Sequence, residues 1–67
     1  MQPELRRMLN SINGSAVRWD HRNFMAGMGV NPRMALKVMT DLLGNPPAGF
    51  SITEVEGSRF TLEIRRV

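Results

Sequence analysis

The sequence predicts an α+β domain in the order helix, strand, helix, helix, strand, strand. Three observations lead there. Apolar residues recur at spacings of three and four in two segments, around residues 5–12 and 35–42, as on one face of a helix. An Asn-Pro pair at residues 31 and 32 marks a helix start. Beyond residue 49 the apolar period falls to two, the period of half-buried strands.

The first helix is expected from Pro3 to Ser11. Pro3 suits the first turn, where its missing N–H costs nothing, and Glu4 suits the positive end of the helix dipole. Leu5, Met8, Leu9 and Ile12 form its apolar stripe, with Arg6 and Arg7 off it, and Asn13-Gly14 stops it. Ser15 to Trp19 then alternates: Val17 and Trp19 point one way, Ala16 and Arg18 the other. Asp20 is a good N-cap for a second helix over His21 to Met28, with Phe24, Met25 and Met28 as its apolar face and Gly29 as its end.

Asn31 is a favoured N-cap and Pro32 a favoured first residue for a third helix over Pro32 to Leu43. Ala35, Val38, Met39 and Leu42 are its core stripe; Gly44 ends it, and Asn45-Pro46-Pro47 prevents continuation. Phe50, Ile52 and Glu54 alternate with Ser51, Thr53 and Val55; after Gly57, Phe60, Leu62 and Ile64 alternate with Thr61, Glu63 and Arg65. A hairpin with a three-residue loop, Glu56-Gly57-Ser58, sets Ile52 opposite Leu62 and Phe50 opposite Ile64. That register gathers the apolar residues on one face, which is what fixes register.

A chain of 67 residues makes one domain, residues 1–67, that buries only about 60% of the surface its unfolded chain exposes. Without cysteine it has no disulfide and no thiolate metal ligand, so a homodimer is one way to add buried area. Eight of nine basic residues are arginine, and net charge is +3, a modest hint of nucleic acid because guanidinium grips phosphate with a planar fork. No apolar run approaches the roughly 18 residues needed to span a bilayer, and the N-terminus lacks a secretory apolar region. A cytoplasmic protein, a complete small product of a bacterial or phage gene, is the expectation.

The segment from Phe24 to Gly44, FMAGMGVNPRMALKVMTDLLG, resembles the helix-turn-helix of bacterial winged-helix regulators. The match lies in Phe24, Gly29-Val30 at the turn, the cap at Asn31, the buried positions Ala35, Val38, Met39 and Leu42, and the end at Gly44. Where that family often carries alanine, this chain has Met25, which predicts a looser helix crossing. The resemblance implies a winged helix-turn-helix fold with a C-terminal β-hairpin wing, and a second motif helix that enters the major groove.

On that footing Asn31, Arg33, Met34, Leu36, Lys37, Thr40 and Asp41 face outward from helix 3. Arg33 and Lys37, four apart, share a face and can donate to guanine; Asn31 and Thr40 can bond a base edge or phosphate, and Leu36 can touch a thymine methyl. The same two cations also suit a plain solvated face. At the wing, Arg59 suits a narrow minor groove, whereas Glu54 and Glu56 repel phosphate; a surface Glu56–Arg59 pair is the alternative. Arg6, Arg7, Arg18 and Arg22 are candidate phosphate contacts, and Arg65 and Arg66 either extend the basic footprint or keep the last strand in solution.

Trp19 is expected in the core or a dimer contact rather than stacked on a base. His21, the lone histidine, makes a poor metal site. The six methionines fall at helical spacing and suit an adaptable core or protein-contact surface. No phosphate-cradling GxxxxGK[ST], no GxGxxG and no Ser/His/Asp arrangement is present, so neither catalysis nor a cofactor is expected. The expected function is a small duplex-DNA binder, a transcriptional regulator or architectural factor. The alternative is a protein-binding module on the same fold, an inhibitor or adaptor that engages its partner through Met34 and Leu36.

Overall fold

In the computed structural model, which describes residues 1–58 and 60–67, local capping sets the helix boundaries. Helix α1 (Pro3–Asn10) begins with Pro3 in its first turn and ends one residue short of the expected Ser11. Ser11 is the cap: its hydroxyl donates to the Met8 carbonyl at 2.6 Å and its N–H to Arg7 at 3.1 Å. Strand β1 (Val17–Asp20) starts two residues later than alternation suggested. The Ser15 N–H is spent in a turn, on the Asn13 carbonyl at 2.8 Å, which leaves Ser15 outside the ladder.

Helix α2 (His21–Met28) opens with a reciprocal capping box. The Asp20 carboxylate accepts the N–H groups of Arg22 and Asn23 at 2.9 and 3.1 Å, while Asn23 Oδ1 accepts the Asp20 N–H at 2.9 Å. Gly29 closes α2 in the left-handed region, φ 66° and ψ 39°, and turns the chain toward helix α3 (Pro32–Gly44). There Asn31 Oδ1 accepts the Met34 N–H at 2.9 Å, with Pro32 in the first turn. Helix α3 runs to Gly44, one residue beyond the expected Leu43, and the prolines at 46 and 47 forbid its continuation.

Strands β2 (Phe50–Glu54) and β3 (Thr61–Arg66) complete an antiparallel sheet of order β1-β3-β2. The hairpin register differs from expectation by two residues: Ile52 faces Ile64, Glu54 faces Leu62 and Phe50 faces Arg66. The connection is longer than three residues. The Val55 N–H still bonds the Thr61 carbonyl at 3.0 Å, and the turn is closed by Ser58 N–H to the Val55 carbonyl at 3.1 Å. A shift of two preserves parity, so the apolar face survives intact. Phe60 is the residue that leaves it: expected inside the strand, it sits in the turn and is 42% exposed.

The sheet's inner face carries Leu62, Ile64 and Ile52, with Val17 and Trp19 from β1, where Val17 pairs Ile64 and Trp19 pairs Leu62. The helices lay Leu5, Leu9, Ile12, Phe24, Met28, Ala35, Val38, Met39 and Leu42 onto this face to make one core. Trp19 packs edge-on against the buried Phe24 ring, 5.7 Å between centroids and 87° between planes, a geometry the ring quadrupole favours. Helix α2 meets α1 closely at Gly27, where a Cβ would lie 2.5 Å from the Met8 sulfur. Among the described residues no helix is long and apolar enough to cross a membrane.

Arg66 ties the last strand to the first helix. Its guanidinium donates to the carbonyls of Ile12 (2.9 Å), Asn10 (3.3 Å) and Leu9 (3.4 Å), and lies 5.0 Å from the Phe50 ring centre. The Leu9 and Asn10 carbonyls belong to the C-terminal end of α1, where the helix dipole attracts a cation, and that of Ile12 lies just beyond it. Replacing Arg66 with alanine is expected to cost about 1–2 kcal/mol in denaturant unfolding, and lysine, a single point donor, to restore less than half of it. At Gly29 an alanine must adopt the left-handed conformation, at a cost of about 1–2 kcal/mol. Gly44, with open space around it and no positive φ, gains about 0.5–1 kcal/mol as alanine. Opposite signs in the same unfolding assay check the pair.

Candidate nucleic-acid interface

The buried stripe of α3 fixes what its outer face presents. Opposite Ala35, Val38, Met39 and Leu42 stand Arg33, Lys37 and Thr40, all exposed, with Asp41 beside them. Arg33 and Lys37 lie one turn apart, and among the described residues neither has an ion-pair or hydrogen-bond partner. Each guanidinium or ammonium hydrogen there is free for an acceptor. Asp41 follows Lys37 by four residues without pairing to it.

Three other expected contacts on this helix have prior tasks. The Asn31 side-chain oxygen is engaged in capping, so what it offers a ligand is its amide N–H₂. The Thr40 hydroxyl donates to the Leu36 carbonyl at 3.0 Å, which leaves its oxygen as an acceptor. Leu36 was expected to face outward; it is half-buried against the core instead. It follows Ala35 directly, and an apolar sector wider than a narrow stripe takes in such a flanking residue. Met34, 38% exposed, is the apolar residue that this face does present.

Among the described residues the cations divide into two sets. On the sheet's outer face, Arg18 and Arg65 share the Glu63 carboxylate, at 3.1 and 3.8 Å. Exposed pairs of this kind contribute about 0–1 kcal/mol each, yet they halve the charge the sheet shows to solvent. Arg66 is spent on the end of α1. On the helices, Arg6, Arg7, Arg22, Arg33 and Lys37 are exposed and carry no partner among the described residues. Arg22 stands in the first turn of α2, its backbone N–H held by Asp20 and its side chain free. The expected contact at Arg59 lies outside the described residues.

Sequence reasoning placed Arg65 and Arg66 together. The structure separates them, because successive strand residues point to opposite faces. The same alternation puts Glu63 beside Arg65 on the outer face, a signal that was available in the sequence. The approach of Arg66 to α1 had no such signal, since 54 residues separate it from Ile12.

His21 donates its backbone N–H to the Phe60 carbonyl at 3.1 Å and packs its ring against Phe60 at 5.5 Å; its Nδ1 is buried without a hydrogen-bond partner. Among the described residues no three His, Cys, Asp or Glu side chains gather as a metal site would require. A groove of about 830 Å³ opens between the start of α1 and the end of α3. Leu5, Val38, Leu42, Pro46 and Pro47 line it, with Asp41 its one ionisable side chain.

No family model matches this chain, nor does any curated protein or solved structure.

The two tasks of Asn31 are separable. Asn31→Ala is expected to lower stability by about 1 kcal/mol through loss of the cap, whereas Asn31→Asp keeps a capping oxygen and the stability while removing the amide donor. Thermal unfolding of the two variants checks the first task, and affinity of the Asp variant for duplex DNA checks the second.

Proposed function

We propose that this protein binds duplex DNA through the outer face of α3, as a small cytoplasmic regulator or architectural factor with a winged helix-turn-helix fold. The observation that carries the reading is the division of the cations among the described residues: those on the helices are exposed and unpaired, while Arg18 and Arg65 of the sheet share one carboxylate and Arg66 is held by carbonyl groups. A solvated face made only for solubility has no need of that division. Two capped helices joined at a left-handed glycine, followed by a β-hairpin, support the fold assignment. In this reading Arg33 and Lys37 donate to base edges in the major groove, Asn31 and Thr40 flank them, and Arg22 holds phosphate at the start of α2.

A protein partner is the second reading. The exposed Met34 and the free Asp41 favour it, since an apolar residue and a carboxylate on the same face suit a protein surface better than phosphate.

Duplex binding across a salt series separates the two. Each neutralised phosphate contributes a slope of about −0.9 in log affinity against log salt. Replacing Arg33 and Lys37 together with alanine is expected to weaken binding at least tenfold at low salt, and any loss of phosphate contact shows as a shallower slope. Unchanged affinity in that variant excludes α3 as the DNA-binding face. A wild-type chain that ignores duplex DNA at low salt moves the assignment to the protein partner, with Met34→Asp as the first variant to test in that case.

A further inference from the structure

We infer that the outward face of α1 is a second polyanion-binding surface, which engages a separate segment of duplex DNA, so that one molecule joins two duplexes. The inference rests on the DNA-binding reading of α3 and extends it.

Arg6 and Arg7 are exposed and, among the described residues, unpaired. Asn10 lies one turn further along and shares their face at spacings of four and three, adding a neutral amide donor. The three border a shallow depression with Pro3 and Ser11. The helix's single acid, Glu4, sits in its first turn, where it answers the helix dipole. A phosphate backbone laid across this face meets two guanidinium groups and one amide.

Placement makes this face a different one from that of α3. Leu5 and Leu9 of α1, with Ile12 just beyond its end, enter the same core as Ala35, Val38, Met39 and Leu42 of α3. The outward faces of the two helices therefore point away from a common centre. Helix α1 packs on α2, and α2 on α3. Between the start of α1 and the end of α3 lies the open groove of about 830 Å³ instead of a packed seam. A straight duplex docked on α3 extends along its own side of the core, and the backbone contacts of Arg7, on the far side of α1 from Leu5, fall to another segment.

The salt dependence distinguishes one interface from two. Phosphate contact from Arg22 alone gives a slope of about −0.9, while Arg22, Arg6 and Arg7 together on one duplex give about −2.7. The experiment uses the full chain, one surface-bound duplex and a second, fluorescently labelled duplex. The wild type is expected to bind a single duplex with the shallower slope and, at higher protein concentration, to capture the labelled one. The Arg6→Ala/Arg7→Ala variant is expected to keep single-duplex affinity within twofold and the same slope, and to capture at least tenfold less of the second duplex. Both side chains are exposed, so its thermal melt stays at the wild-type value; the Arg6→Gln/Arg7→Gln variant, which keeps side-chain bulk, shows the same loss of capture.

Four results overturn the inference. Undiminished capture by the alanine variant assigns the joining to a dimer. A single-duplex slope made shallower by about 1.8 in that variant puts α1 on the same duplex as α3. A wild type that binds one duplex and captures no second removes the second surface while leaving the α3 reading in place. A wild type that binds no duplex removes both.

Discussion

The position of β3 between the other two strands is the constraint on which the architecture depends. Neither β1 nor β2 has another strand to bond, so every ladder hydrogen bond of the sheet runs through β3. Its inner face supplies Leu62 and Ile64, both almost fully buried, as the floor on which all three helices rest. Its next inward residue, Arg66, reaches past the sheet to the end of α1. One six-residue strand thus joins sheet, core and first helix. In a domain this small, with no disulfide to restrict the unfolded chain, there is no second core to compensate if that strand slips.

The same strand organises the charge. Its outward residues Glu63 and Arg65 form the outer face's ion cluster with Arg18 of β1, and its inward Arg66 is consumed by carbonyl groups. Among the described residues, the cations left without a partner lie on the helices. The net charge of +3 is modest for the whole chain, but on the outward helix faces Arg6 and Arg7 stand adjacent and Arg33 and Lys37 one turn apart. A polyanion responds to that local excess within a Debye length of about 8 Å, more than to the total.

The sequence made the helices legible because their boundaries are written in single residues. Asp20 and Asn31-Pro32 start helices through short-range bonds to backbone N–H groups two or three residues on, and Gly29 ends one by conformation alone. Binary pattern also gave the core stripe of α3 and the inward faces of β1 and β2. The hairpin register was not legible. Burial demands only the correct parity, and pairings two residues apart satisfy it equally, so the turn between residues 55 and 60 had to decide. Phe60 was misplaced for the same reason. On the candidate interface, the exposure of Arg33 and Lys37 followed from helical geometry, while the half-burial of Leu36 depended on how broadly α3 meets its neighbours. Pairing of Arg18 with Glu63 and capture of α1 by Arg66 join residues 45 and 54 positions apart, distances over which no local pattern operates.

The capping box at the start of α2 has an effect on the sheet as well as on the helix. The His21 N–H bonds Phe60 in the β1–β3 ladder, so by alternation Val17 and Trp19 also turn their N–H groups toward β3, and Arg18 and Asp20 turn theirs to the outer edge. Asn23 already occupies the Asp20 N–H. That leaves Arg18 as the one residue of β1 with an outward donor, and a second copy pairing there would bring two arginine side chains together. An exposed strand border is the usual template for runaway sheet growth between molecules. Here the Asn23 side chain that completes the capping box also takes one of that border's two outward donors, so the start of a helix shortens the edge that β1 offers to another chain.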